Sequence, residues 1–299
     1  MMFTGAMTAL VTPFKDNAID EESYRSFIEW QIAEGIDGLV PCGTTGESAT
    51  LSHAEHERAI EICIEQAARR VPVLAGSGSN NTAEAVALTR FAKKAGADGA
   101  LLITPYYNKP SQQGLYEHYK TIAQAVDLPL IPYNVPTRTG CNMLPETIAR
   151  LAKDFPNIVG LKAATGDMKQ GSETMEKCPE RFSVLSGDDL SAMPLIAIGA
   201  RGLISVTSNI APRRVAAMCK AALNGKMEEA RKLHHELFPL SMAMFMVSNP
   251  TPVKTALAML GKMSPEMRLP LCPMNAEDTA KLEQILRAQQ LLGAEAAAK

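Results

Sequence analysis

Short apolar runs alternate with helix-length stretches of mixed polarity through the first three quarters of the chain. The runs fall at residues 3–11, 38–42, 71–76, 99–104, 130–133, 158–163, 182–186 and 202–207, recurring roughly every 30 residues as βα units do. Many are apolar on both faces, the mark of parallel strands covered on both sides, and parallel neighbours need crossover helices. An internal echo marks the junctions. Gly35-Ile36-Asp37-Gly38-Leu39-Val40, Gly96-Ala97-Asp98-Gly99-Ala100-Leu101 and Gly199-Ala200-Arg201-Gly202-Leu203-Ile204 each read as a helix stop followed by a strand. The first glycine suits the left-handed position after a helix, the second a close approach to a neighbouring strand. Pro72, Pro129 and Pro156 stand at strand thresholds, where they remove no ladder bond. Ser52 with Glu55, and Asn81 with Glu84, have capping-box spacing and predict helix starts.

From about Gly225 the pattern becomes helical only, over 226–247, 251–260 and, after a proline-bearing loop, 277–292. The expected fold class is α/β: a (β/α)8 TIM barrel over residues 1–224, followed by a C-terminal helical domain over 225–299. A doubly wound open sheet is the rival, and the lack of GxGxxG after the first strand counts against its dinucleotide-binding form.

Composition narrows the function classes. With 46% hydrophobic and 21% charged residues in 299, the chain is globular rather than disordered or fibrous. Thirty basic against 32 acidic residues, net −2, provide no electrostatic reason for a nucleic-acid partner or an anionic membrane. No apolar run approaches the roughly 20 residues of a membrane span, and the N-terminus lacks the features of a signal peptide, so a cytosolic location is expected. The six cysteines form no CxxC pair and are expected as reduced thiols.

In such a barrel, catalytic groups sit at the C-terminal ends of strands and in the loops that follow. Candidates by that rule are Thr8, Thr12, the loop Gly43-Thr44-Thr45-Gly46-Glu47, Tyr106, Tyr107, the segment from Tyr133 to Arg138, Lys162 and Gly187-Asp188-Asp189. Of the lysines, Lys162 alone is expected inside a strand, with the others on helices or loops. Desolvation there lowers an amine from about 10.4 toward 7 to 8, leaving a neutral nucleophile for Schiff-base chemistry. A lysine paired with a carboxylate inside the barrel is the alternative. The glycine- and hydroxyl-rich loop offers consecutive N–H groups as a nest for a carboxylate, or is a plain turn. Tyr133 and Tyr107 are expected to end the fifth and fourth strands. A phenol near an imine-forming lysine can relay protons, or merely satisfy a hydrogen bond. Arg138 presents a fork for a substrate carboxylate, or lies solvated. His53 and His56 have i,i+3 spacing beside Glu57, yet this is not HExxH and no third ligand is evident, so no metal is expected. Asp188 and Asp189 suit a turn and cap better than paired acids, and Met242, Met244 and Met246 suit core or interface.

Taken together, Gly43-Thr44-Thr45-Gly46-Glu47-Ser48, Thr104-Pro105-Tyr106-Tyr107-Asn108-Lys109-Pro110, Tyr133-Asn134-Val135-Pro136-Thr137-Arg138-Thr139-Gly140, Gly160-Leu161-Lys162 and Leu185-Ser186-Gly187-Asp188-Asp189 resemble one family. It is the 4-hydroxy-tetrahydrodipicolinate synthase (dihydrodipicolinate synthase) family, within the pyruvate-dependent class I aldolases that include N-acetylneuraminate lyase. The likeness covers essentially the whole chain. It implies a lyase, without a cofactor, that joins pyruvate to L-aspartate 4-semialdehyde through a lysine Schiff base, the committed step of lysine (diaminopimelate) biosynthesis. It implies that Lys162 forms the imine, Thr44 and Thr45 hold the pyruvate carboxylate, Tyr133 relays protons, and Gly187 and the Ile204 carbonyl line the pocket. A Tyr107 from a neighbouring subunit would complete a relay with Thr44 and Tyr133, in a homotetramer built as a dimer of dimers. Arg138 would bind the semialdehyde carboxylate. Ser48, Ala49, His53, His56, Asn80, Glu84 and Tyr106 match the allosteric L-lysine site of lysine-sensitive members, which implies feedback inhibition. Glu84 then has two possible uses, in that site or in its capping box.

The chain also departs from the family. Many relatives have glutamate directly after the catalytic lysine, where this chain has Ala163. By two-residue alternation Ala163 faces away from Lys162, and little effect on the chemistry is expected. The methionine-rich stretch before Asn249-Pro250 differs too, and bears on the helical extension and subunit contacts. Other functions stay open at this point: a pyruvate-dependent sugar-acid lyase, against which Arg138 argues; a metal-dependent aldolase; and an idle barrel sensing a keto acid or L-lysine, against which the set Lys162, Tyr133, Thr44 and Tyr107 argues.

Overall fold

A computed structural model of the protein describes residues 3–293. Eight parallel strands, β1 (Gly5–Ala9), β2 (Gly38–Val40), β3 (Leu74–Gly76), β4 (Gly99–Ile103), β5 (Leu130–Asn134), β6 (Gly160–Ala163), β7 (Ser183–Ser186) and β8 (Gly202–Ser205), pair in the order β2-β1-β8-β7-β6-β5-β4-β3. A parallel bridge between Leu39 and Val73 joins the two ends, so the sheet closes into a barrel with no free edge. All eight apolar runs of the sequence are strands of this barrel. The third is shorter than its run because Val73 makes only the closing bridge.

Side chains alternate between two apolar layers. Met7, Val40, Leu74, Leu101, Ile131 and Leu185 fill the barrel interior, while the opposite faces of the strands pack against the surrounding helices. Among the described residues, eight helices surround the strands, α1 (Glu21–Ala33), α2 (His53–Ala67), α3 (Thr82–Ala95), α4 (Gln112–Ala125), α5 (Pro145–Asp154), α6 (Met168–Lys177), α7 (Ala192–Ala197) and α8 (Pro212–Leu223), and α9 (Met227–Ala243), α10 (Thr251–Met259) and α11 (Ala276–Ala288) follow the barrel. Leu237, Leu240, Val253, Leu257, Leu282 and Leu286 of these last three belong to the same apolar cluster as the barrel's outer layer. Helix α9 stops short of the expected Val247. The chain must leave helical conformation before Asn249-Pro250, since proline disfavours the α region in the residue before it.

The glycine echo has the predicted cause: Gly35, Gly96 and Gly199 lie at φ of 86°, 96° and 121°, open to residues without a β-carbon. Of the two capping boxes, one forms. Ser52 N donates to Glu55 Oε2 at 2.9 Å and Glu55 N to Ser52 Oγ at 3.3 Å. At the other start Asn81 caps alone, through Ala83 N at 3.0 Å. Glu84 turns instead to His53 Nε2, at 2.8 Å, and to the Ser79 hydroxyl. All six cysteines are free. Met244 and Met246 pack into or against the core, whereas Met242 is half exposed. Among the described residues no helix is long and apolar enough to cross a membrane.

Candidate active site

Strand register creates the site. Tyr133 on β5 pairs directly with Lys162 on β6, and paired residues on neighbouring strands face the same side. Both side chains point into the barrel, with Lys162 Nζ 4.1 Å from the Tyr133 ring centroid, while Ala163 packs outward against the helices. Lys162 is 5% exposed. Burial pushes its amine down to about 7; Asp189 pulls upward and Arg138 adds to the fall. The carboxylate of Asp189 acts only through space, because it is already bonded by the Ser205 hydroxyl, Val206 N at 2.9 Å and Thr207 N at 3.3 Å. That arrangement removes the alternative of a lysine held in a structural ion pair. A β-carbon at Gly187 would lie 3.0 Å from Lys162 Cγ and Cε, so glycine there leaves room for the extended amine.

A cavity of about 320 Å³ opens above this pair; Thr44, Thr45, Tyr133, Arg138, Lys162 and Gly187 line it, and Asp188, Val206, Phe245 and Asn249 are among the other residues of its wall. Burial raises the Tyr133 phenol to about 12, against the opposing effects of Arg138 and Thr44. Thr45 is buried and its Oγ1 accepts from Asn249 Nδ2 at 3.0 Å. Arg138 comes from the single helical turn Pro136–Thr139 after β5. Thr12 supports the loop from below by donating to Gly46 O at 2.7 Å, whereas Thr8 donates to Gln31 Oε1 and plays no part in the cavity. Asp188 accepts from Ser191 N at 2.9 Å, the turn expected of it.

One expected position is corrected. Strand β4 ends at Ile103, and Tyr107 lies beyond it in the loop, at φ 71° and 90% exposed. It does not line the cavity of its own chain. The Ile204 side chain belongs to the interior apolar cluster, and Val206, two residues on, lines the cavity.

A second cavity, of about 460 Å³, adjoins the first and shares Thr44, Arg138 and Asn249 with it. Ser48, Ala49, His53, His56, Glu84 and Tyr106 line it. Asn80 stands behind, its Nδ2 donating to Tyr106 O at 3.2 Å. Burial lowers His56 to about 4, so its ring is neutral at pH 7, while the Ser79 and His53 hydrogen bonds hold the Glu84 carboxyl below its usual range. One neutral imidazole and one carboxylate suit a ligand carrying an ammonium group. Among the described residues no group of three or more His, Cys, Asp or Glu converges as a metal site would require.

The model of the dihydrodipicolinate synthetase family matches residues 2–289. The chain belongs to that family. A 4-hydroxy-tetrahydrodipicolinate synthase of Nitratidesulfovibrio vulgaris (strain DP4) is 59% identical over 292 residues, 98% of this chain and 100% of the relative. Among solved structures, the chloride-inhibited dihydrodipicolinate synthase of Acinetobacter baumannii complexed with pyruvate superposes with a TM-score of 0.95 at 45% identity, over 97% of this chain and 99% of that one. The Cyanidioschyzon merolae DHDPS with lysine bound gives 0.94 at 39% identity, over 97% and 99%.

Sequence reasoning missed a second buried lysine. Lys254 on α10 is fully buried, and its Nζ donates to Glu47 Oε1 at 2.5 Å and Thr12 O at 3.0 Å. Burial pushes its ammonium below the usual range, and Glu47 pulls it back. The other Glu47 oxygen accepts from Arg268 N at 3.1 Å, and the Arg268 guanidinium grips Glu55. Glu47, at φ 54°, is thus tied by one oxygen to helix α10 and by the other to the loop that follows it. Nothing in the local pattern around Lys254 announces this, because its partner is 207 positions away.

Proposed function

We propose that the chain condenses pyruvate with L-aspartate 4-semialdehyde to 4-hydroxy-tetrahydrodipicolinate through an imine on Lys162, as a lyase of lysine biosynthesis. The observation that carries this is a desolvated, unpaired lysine beside a buried tyrosine in a cavity that also holds Arg138. The neutral Lys162 amine attacks the pyruvate ketone and expels water, giving an iminium while Thr44 and Thr45 hold the carboxylate. Tyr133 takes a methyl proton as it hands its own phenol proton on to the hydroxyl relay, leaving an enamine. The enamine carbon attacks the aldehyde, whose oxygen gains a proton to become the hydroxyl. The amine of the second substrate then attacks the former ketone carbon, closes the ring and releases Lys162. Arg138 binds the carboxylate of the semialdehyde as a two-pronged donor.

The test is pyruvate turnover with L-aspartate 4-semialdehyde beside N-acetylmannosamine and glyceraldehyde. Turnover only with a sugar aldehyde would replace the synthase by a lyase on the same imine. A pH dependence follows from the amine: a protonated lysine cannot attack, so kcat/KM for pyruvate should fall about tenfold per pH unit below about 7 and level off above it. A flat profile between pH 5 and 7 would contradict the desolvated amine.

Tyr107 fits service to a neighbour. It is an aromatic ring held almost wholly in solvent on a backbone conformation that non-glycine residues adopt rarely. We assign it to the relay of an adjacent subunit with Thr44 and Tyr133, in a homotetramer made of two such dimers. The second cavity is proposed as an inhibitory L-lysine site, in which Glu84 meets an ammonium. Millimolar L-lysine should then inhibit, and Glu84→Ala should raise the concentration for half-inhibition about tenfold. Activity indifferent to millimolar L-lysine would refute the site. Free thiols fit a reducing cytosol as the place of the reaction.

A further inference from the structure

We propose that Asn249 orients the Thr45 hydroxyl toward the keto-acid carboxylate, so that the C-terminal extension supplies a positioning residue to the barrel's active site. The inference rests on the carboxylate-binding role proposed above for Thr45. Asn249 is 5% exposed, lines the imine cavity, and donates from Nδ2 to Thr45 Oγ1 at 3.0 Å. A hydroxyl carries one proton and two lone pairs. With a lone pair engaged by the amide, the Thr45 proton is left for an acceptor inside the cavity. Rotating the amide by half a turn would set Oδ1 against Thr45 and draw that proton away, and a bound carboxylate favours the first arrangement.

The second amide atom argues that the residue serves orientation rather than folding. Asn249 Oδ1 is buried without a partner, a destabilising condition for a polar atom. A small apolar residue here would lose one hydrogen bond and also remove the unpaired oxygen. The anchor is firm. The helix that follows Asn249 and Pro250 is pinned by Lys254 to Glu47 and to the Thr12 carbonyl, and Glu47 stands in the same loop as Thr45. The segment 249–254 is therefore clamped to the 43–47 loop at both ends, and a small shift in one is carried to the other.

The experiment is steady-state kinetics on the full chain with Thr45→Val, Asn249→Ala and the double variant. Each single change should raise KM for pyruvate about tenfold, the worth of a hydrogen bond to a charged group, with kcat and KM for the semialdehyde within about twofold. The double variant should be no worse than Thr45→Val alone, since the amide acts only through that hydroxyl. Asn249→Asp, of the same shape, should raise the pyruvate KM further, because its carboxylate accepts the Thr45 proton and repels the substrate. Relative to the parent at each pH, that excess should shrink as the carboxylate protonates. It carries the test should the alanine variant fail to fold. An unchanged pyruvate KM in Asn249→Ala, or an additive rise in the double variant, would overturn the inference while leaving Thr45 in place. An unchanged pyruvate KM in Thr45→Val would overturn the role of Thr45 and this inference with it.

Discussion

Lys162→Ala should lose at least about 10⁴-fold in turnover, because covalent catalysis is removed rather than weakened, and should leave no pyruvate adduct after borohydride reduction. The mass of the reduced protein reads this directly: the parent gains one pyruvate-derived unit per chain and the variant none. The same change should leave the melting temperature equal or higher. Lys162 is buried without a bonded carboxylate, and an ammonium held out of water opposes folding, so active-site function and stability pull in opposite directions here. Pyruvate still trapped on the variant would remove Lys162 from the mechanism.

The other buried lysine should behave in the reverse sense. Lys254→Met leaves Glu47, whose side chain is 1% exposed, as an uncompensated charge in the protein interior. Breaking such a pair from one side costs about 3–5 kcal/mol, which for a chain of this size corresponds to a fall of roughly 5–8 °C in melting temperature. Because Glu47 follows Thr44 and Thr45 in one short loop, the pyruvate KM should rise as well. Replacing both partners, as Lys254→Met with Glu47→Leu, should recover much of the stability but not the loop geometry. A melting temperature within about 2 °C of the parent for the single variant would show that water reaches the pair. Surface pairs such as Lys281 with Glu277, both well exposed, should contribute less than about 1 kcal/mol when cut.

These two lysines mark where sequence reasoning reached and where it stopped. Lys162 was legible because a charged residue inside an apolar strand conflicts with its surroundings within a window of a few residues. Lys254 sits on a helix whose local pattern admits a solvated lysine equally well, and only the fold buries it. Glu84 is a similar case: its spacing from Asn81 matches a cap, but its carboxylate meets His53, 31 positions away, and the nearby Ser79 hydroxyl, while the Asn81 N–H goes to Ser79 Oγ. Tyr107 was expected at the end of β4, yet the loop carries it into solvent, because strand pairing with β5 stops at Ile103 and Tyr133.

The chain by itself determined the barrel, the approximate bounds of its strands, the helix-ending glycines and the placing of one lysine, Lys162, inside a strand. Each of these is written in periodicity or in a chemical misfit among near neighbours. Only the tertiary structure decided that Tyr133 stands opposite Lys162, that Asn249 reaches Thr45 across 204 positions, and that Glu47 is locked by Lys254 and Arg268. Those pairings depend on strand register and on how the last helices close over the barrel mouth, and neither leaves a periodic trace in the order of residues.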